Sequence, residues 1–128
     1  MKKLALIAIA ILAFSCKKES EEPFGKPTET TSTEAQTPLA LGKEIFEGKG
    51  NCVACHQVDQ KVIGPSIQEI AKIYKDKNGN MVEFLKGKGE AIVDPAQFSV
   101  MQTNLEITKT FSEEELKAVE AYIYSNLK

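Results

Sequence analysis

Cys52-Val53-Ala54-Cys55-His56 places two thiols three positions apart and an imidazole directly after the second. Two thiols at this spacing can each add across one vinyl group of a haem, and the histidine that follows can turn a ring nitrogen to the iron. The vinyl groups sit on adjacent pyrroles, so the two sulfurs are expected from neighbouring turns of one helix. Two other chemistries use paired cysteines. Structural zinc takes four sulfur or nitrogen ligands, and outside this run the chain offers only Cys16 and no second histidine. A thioredoxin-like redox pair sits between a strand and a helix, and no strand-like alternation precedes Cys52. Covalent attachment of one haem c is therefore the expected chemistry.

That chemistry takes place outside the cytoplasm in bacteria, so it requires an export signal upstream. Lys2 and Lys3 are followed by an uninterrupted apolar run, Leu4 to Phe14, which is the length of a signal-peptide core and too short to span a bilayer. It ends at Ala13-Phe14-Ser15-Cys16 and resembles a bacterial lipoprotein signal. The expected division is a signal peptide over residues 1–15 and a lipidated N-terminus at Cys16. The alternative is an ordinary signal peptide with an incidental cysteine. With lipid on Cys16 and haem on Cys52 and Cys55, no thiol is left over, which suits an oxidising compartment.

From residue 16 to residue 37 the chain reads as a tether. It holds Lys17, Lys18, Glu19, Glu21 and Glu22, a Thr/Ser/Glu run from Thr28 to Glu34, and Pro23 and Pro27, with Phe24 as its one large apolar residue. Such a segment buries too little surface to offset its ordering entropy. The folded domain is expected over residues 38–128, where 11 Lys stand against 13 Asp and Glu. The whole chain has no arginine. A nucleic-acid binder carries a basic footprint, so no nucleic acid is expected among the partners.

The elements that must position the cysteines and histidine read as an all-α arrangement of about four helices. Leu39, Leu41, Ile45 and Phe46 lie at helical spacing, and Gly48 and Gly50 break that helix just before Cys52. Pro65 is expected to open a second helix with Ile67, Ile70, Ala71 and Tyr74 on one face, closed by the turn Asn78-Gly79-Asn80. Met81, Val82, Phe84 and Leu85 form a short amphipathic piece. Asp94 to Asn104 shows no helical pattern and is read as irregular. Ser112 and Glu115 form a capping box, and the last helix buries Leu116, Ala118, Val119, Tyr122, Ile123 and Leu127. A domain this small buries limited apolar surface by itself, so a haem is expected to serve as much of its core.

This pattern resembles the class I cytochromes c in their short bacterial monohaem form, over nearly all of residues 39–128. Gly42-Lys43-Glu44-Ile45-Phe46 looks like the family's first helix, whose glycine permits a close crossing by the last. Ala121-Tyr122-Ile123-Tyr124 looks like the matching aromatic site of that last helix. Gly64-Pro65 resembles the family's Gly-Pro, whose proline carbonyl accepts a hydrogen bond from the proximal histidine. A plain helix start would also account for Pro65. The resemblance implies the small cytochrome c fold, with its helices packed around one covalently attached haem.

His56 is the only histidine, so a second axial ligand from this chain must be of another kind. Met1 leaves with the signal peptide, which leaves Met81 and Met101. Met81 sits at helical spacing among apolar residues, the setting of a core methionine. Met101 lies in the irregular stretch before the last helix, where the family's ligand is found. The family motif there often reads Met-Pro-Pro-Asn; this chain reads Met101-Gln102-Thr103-Asn104, which keeps the spacing to Asn104 and lacks both prolines. Met101 is the expected sixth ligand, with Asn104 near its sulfur; Met81 and an open site are the alternatives.

Two protein ligands leave no vacant position for a substrate, and a histidine taken by iron cannot act as general base. The expected role is not enzymatic. It is one-electron carriage between respiratory redox proteins, with the haem domain tethered by lipid to a membrane of the cell envelope, on its periplasmic or outer side. No small-molecule substrate is expected. The alternatives are a haem subunit fixed to one oxidase or reductase, and a gas-binding or peroxidatic protein if Met101 does not bind iron. Lys61, Lys86, Lys88 and Lys109 could form a docking ring, although solvated surface lysines are the simpler reading.

Overall fold

The computed structural model of the chain describes residues 36–128. The signal segment, Cys16 and the tether up to residue 35 lie outside the described residues. Within them the chain forms five α-helices and no strand: α1 (Pro38–Glu47), α2 (Ile67–Asp76), α3 (Met81–Leu85), α4 (Phe98–Thr108) and α5 (Glu113–Ser125). Each of four helices starts where a side chain satisfies a backbone N–H that the helix leaves free. Thr37 accepts from the Ala40 amide, Ser66 from Glu69, and Asn80 from Glu83. Ser112 accepts from the Glu115 amide while the Glu115 carboxylate accepts from the Ser112 amide, closing the capping box. Thr37, counted with the tether on sequence grounds, thus caps the first helix. Pro65 does not open α2; it stands one residue before the cap, Ser66.

The principal packing is α1 against α5. Gly42 makes it possible: an added Cβ would lie 1.9 Å from the Ala118 carbonyl oxygen. One turn further along, Phe46 and Tyr122 meet with ring centroids 5.3 Å apart at 57°, the tilted arrangement aromatic pairs favour. Ile45, Phe46, Leu116, Val119 and Ile123 are buried in this crossing and join Ile67, Ala71 and Tyr74 of α2 and Met81, Val82 and Leu85 of α3 in one core.

The fifth helix is a departure from the sequence reading. The stretch Asp94 to Asn104, expected to be irregular, contains a short 3-10 turn at Pro95–Gln97 and then α4, which carries both Met101 and Asn104. The physical reason lies at Gln102 and Thr103. They occupy the places where the family motif has two prolines, which lack an N–H and break a helix interior. Gln102 and Thr103 keep their amides, so the helix runs through Met101. Tertiary contacts then hold it. Leu105 and Thr108 are both 2% exposed, and the Thr108 hydroxyl donates to the Leu85 carbonyl at 2.6 Å, one of the acceptors that the end of α3 leaves free.

Candidate haem-binding cavity

Between α2, α3, α4 and α5 lies an open-mouthed cleft with predominantly apolar walls, the setting in which cofactors are commonly held. All seven residues expected at a haem within the described part of the chain line it: Cys52, Cys55, His56, Gly64, Pro65, Met101 and Asn104. Met81 lines it too.

The two cysteines come from one tight turn rather than from successive turns of a long helix. Residues Cys52–Ala54 form a 3-10 turn, and the Cys52 carbonyl accepts from the amides of Cys55 at 3.1 Å and His56 at 3.0 Å. That folding brings both sulfurs and the imidazole together within five residues. Asn51, just before the turn, adopts the left-handed conformation at φ 50°, which asparagine tolerates better than most residues. Cys52 is buried and Cys55 half-buried. Burial raises the Cys52 thiol to about 11, its own backbone hydrogen bond acts in the opposite sense, and neighbouring Cys55 adds to the rise. Its sulfur donates to the Gly50 carbonyl at 3.4 Å, and the Asn104 amide donates to the same oxygen at 3.3 Å. Asn104 ties α4 to the segment that carries the first cysteine.

The His56 ring is held by its Nδ1, 2.7 Å from the Pro65 carbonyl oxygen. A carbonyl can only accept, so Nδ1 carries the proton and Nε2 keeps its lone pair. A histidine held in this way is oriented as a metal ligand. Gly64 packs against the ring face. A Cβ there would sit 2.5 Å from His56 Cε1 and 2.8 Å from Nδ1. The same loop is closed by the Gly64 amide donating to the Cys55 carbonyl at 2.9 Å and by an isolated antiparallel bridge between His56 and Lys61. We expect Gly64→Ala to keep its thioether-bound haem yet push the imidazole off the Pro65 carbonyl, which changes the midpoint potential and lowers the melting temperature. Spectroelectrochemical titration and thermal melting check it; an unchanged potential would mean that the ring is not confined by this glycine.

These residues fit a haem. The walls are apolar, with Ile70, Phe84, Ile92 and Phe98 among them, two thiols stand at vinyl-addition spacing, and an oriented imidazole faces the cleft. Among the described residues no group of three His, Cys, Asp or Glu side chains is placed to hold a metal. No strand leads into Cys52, which removes the context of a thioredoxin-like pair.

Three of the four lysines considered for a docking ring are engaged with carboxylates. Lys61 pairs with Asp94 at 3.1 Å, Lys86 with Glu83 at 3.0 Å and Glu113 at 2.5 Å, and Lys109 with Glu106 at 2.5 Å. Asp94 lines the cleft, so the Lys61 pair links the loop after His56 to the loop before α4. Ile63 and Val100 stand among the residues that line the cleft.

One side chain at the cleft escaped the sequence reading. Tyr74 is legible as a core position of α2, yet among the described residues its hydroxyl is a buried oxygen with no hydrogen-bond partner.

The family described as Cytochrome c matches residues 39–126. A cytochrome c-552 from Nitrosomonas europaea is 50% identical over 40 residues, 31% of this chain and 38% of that protein. A cytochrome c-551 from Pseudomonas denitrificans is 48% identical over 35 residues, 27% of this chain and 42% of that protein. A cytochrome c-551 from Azotobacter vinelandii is 40% identical over 38 residues, 30% of this chain and 45% of that protein. Each matching segment spans less than half the length of the relative concerned.

Proposed function

The chain belongs to the cytochrome c family and carries one covalently attached haem c, and from that premise we propose that it is a lipid-tethered carrier of single electrons between redox proteins of the cell envelope. Cys52 and Cys55 form the thioethers, His56 is the proximal ligand and Met101 the sixth. The observation that carries the reading is the 2.7 Å contact between His56 Nδ1 and the Pro65 carbonyl. It commits one ring nitrogen to the protein and leaves Nε2 as the free donor.

When bound, the haem supplies a one-electron couple whose potential follows its axial ligands. The chain's residues set the conditions for that couple. His56 is fixed in tautomer and angle by Pro65 and Gly64. A Met101 thioether favours the reduced state relative to a second histidine. The apolar walls limit water around the site, which suits electron carriage. The tether between Cys16 and the first helix gives the domain its reach.

A second reading is a haem subunit held against one membrane complex; Val62, 55% exposed on the loop after His56 and outside the cleft lining, is the kind of side chain a lasting interface would cover. Redox titration with spectra of both states tests the core of the proposal and should show one haem and a single one-electron transition. Cell fractionation tests the anchor and separates the two readings. Cys16→Ser should release the domain, still haem-loaded, into the soluble fraction. Retention of that variant in a membrane complex would favour the fixed subunit.

A further inference from the structure

Met101 reaches the cleft on α4, a helix with only two buried residues, Leu105 and Thr108. Met101, Asn104 and Thr108 follow one another at i, i+3 and i+7, so they share one face of the helix. From that face the Asn104 amide donates to the Gly50 carbonyl. Thr108, two turns beyond Met101, is 2% exposed. Its hydroxyl stands 2.6 Å from the Leu85 carbonyl oxygen and 3.3 Å from that of Leu105. A hydroxyl has one proton to give, and the shorter contact takes it.

The acceptor is one that α3 leaves open. Past the end of α3 the chain turns through Gly87, at φ 75°. The amides of Lys86, Gly87, Lys88 and Gly89 go back to the carbonyls of Val82, Phe84 and Glu83 and pass Leu85 by. Lys109 follows Thr108 onto the same turn, where an added Cβ at Gly87 would lie 2.4 Å from Lys109 Cε. The turn is held in its place by Lys86, which pairs with Glu113 of α5 at 2.5 Å. The end of α4 is thus seated on a fixed frame, and one hydroxyl makes the bond that seats it.

We propose that Thr108 is a positioning residue for the sixth ligand: by docking α4 on the end of α3, its hydroxyl limits how often Met101 leaves the iron. The proposal rests on the reading of Met101 as that ligand. Two turns of continuous helix join Met101 to Thr108. For the thioether to withdraw, α4 must lift from its seat, and lifting breaks the bond to Leu85. A valine at position 108 keeps the shape and leaves a buried acceptor without a donor. That loss is felt only while α4 is seated, since an undocked α4 lets water reach the Leu85 carbonyl. The balance therefore shifts toward the open form by on the order of tenfold. The open form stays a minor one, so the spectrum and potential of the resting protein should hardly move.

The test uses the full haem-loaded protein in its oxidised state, with cyanide as the probe and loss of the long-wavelength iron–thioether absorption as the readout. Cyanide enters only where Met101 has left, so below saturation its binding rate follows the open fraction. Thr108→Val should bind it about tenfold faster than the unmutated protein. Thr108→Ser, which restores the donor, should return to the unmutated rate. Ile45→Val, in the core and outside the cleft lining, should lower the melting temperature and leave the rate unchanged. Equal rates in Thr108→Val and Ile45→Val, or a serine variant as fast as the valine one, overturn the proposal. If Thr108→Val does not mature, hydrogen exchange in the unmutated protein decides. Saturation with cyanide should speed exchange of the Lys109 amide, which donates to the Leu105 carbonyl at 2.9 Å, and leave the Leu116 amide of α5 as it was. Unchanged exchange at Lys109 overturns the proposal. Failure of the underlying reading looks different: the unmutated protein would then lack the long-wavelength absorption and take up cyanide at once.

Discussion

Met101→Ala is expected to remove the weak long-wavelength absorption of an iron–thioether bond from the oxidised protein, to lower the potential, and to let carbon monoxide bind the reduced form. Met81→Leu should do none of these. Both methionines line the cleft, so proximity alone does not separate them; packing does. Met81 is 1% exposed at the start of α3 and belongs to the central core. Its side chain is committed to neighbours on all sides, and a volume-conserving change there costs less than about 1.5 kcal/mol. Met101 is half-buried on α4 and packs against the core from outside it. Its thioether can be withdrawn without opening a hole in the core. The loss of the sulfur should therefore appear in the spectrum and the potential, because a methionine ligand raises the potential, while the fold persists. If the Met81 variant alone loses the band, the assignment is reversed. If the unmutated protein already binds carbon monoxide readily, the sixth position is open and the gas-binding reading replaces electron carriage.

The contrast between α4 and the other helices shows what could be read from residues alone. In α1, α2, α3 and α5, apolar positions recur at helical spacing, and in α2, α3 and α5 a Ser or Asn cap precedes them. Local preference and tertiary burial agree in those segments, so their existence is visible without a structure. The α4 segment, Phe98-Ser-Val-Met-Gln-Thr-Asn-Leu-Glu-Ile-Thr, is rich in β-branched and short polar residues of modest helix propensity. Its cap, Gln97, makes no side-chain bond. Ile107 is exposed on it, at 39%, which blurs the amphipathic pattern. Burial of Leu105 and the Thr108 bond to Leu85 hold it, and that bond reaches back 23 residues to α3. The residues proposed to hold the haem are legible for the opposite reason. Attachment chemistry requires two cysteines and a histidine at a fixed spacing, which Cys52, Cys55 and His56 meet within five positions, whereas the unpartnered Tyr74 hydroxyl is a property of three-dimensional surroundings and leaves no mark on spacing.

Gly42→Ala should be the most damaging single methyl that can be added to this domain. On propensity alone the change is favourable, since alanine stabilises a helix interior by about 0.5–1 kcal/mol over glycine. The space decides against it. The new Cβ would lie 1.9 Å from the Ala118 carbonyl oxygen, 2.5 Å from its carbon and 2.9 Å from Tyr122 Cβ. The first two are backbone atoms of α5, so no side-chain rotation relieves the contact and the helices must part. Parting them pulls Phe46 from Tyr122, now at 5.3 Å, and loosens Ile45, Val119 and Ile123 behind them. Overpacking of a core typically costs about 1–3 kcal/mol and occasionally more, and here the upper end applies because backbone meets backbone. For a domain of this size that corresponds to a fall in melting temperature on the order of 15 °C. Leu39→Ala, at a position 47% exposed on the same helix, should shift melting by no more than a few degrees. Phe46, Val119 and Ile123 also line the cleft, so the yield of haem-loaded protein should fall together with stability. Melting curves of the haem-loaded variants, with haem content per mole of protein, check both effects. A Gly42→Ala protein that melts as the Leu39→Ala protein does would mean that α1 and α5 do not cross at this glycine.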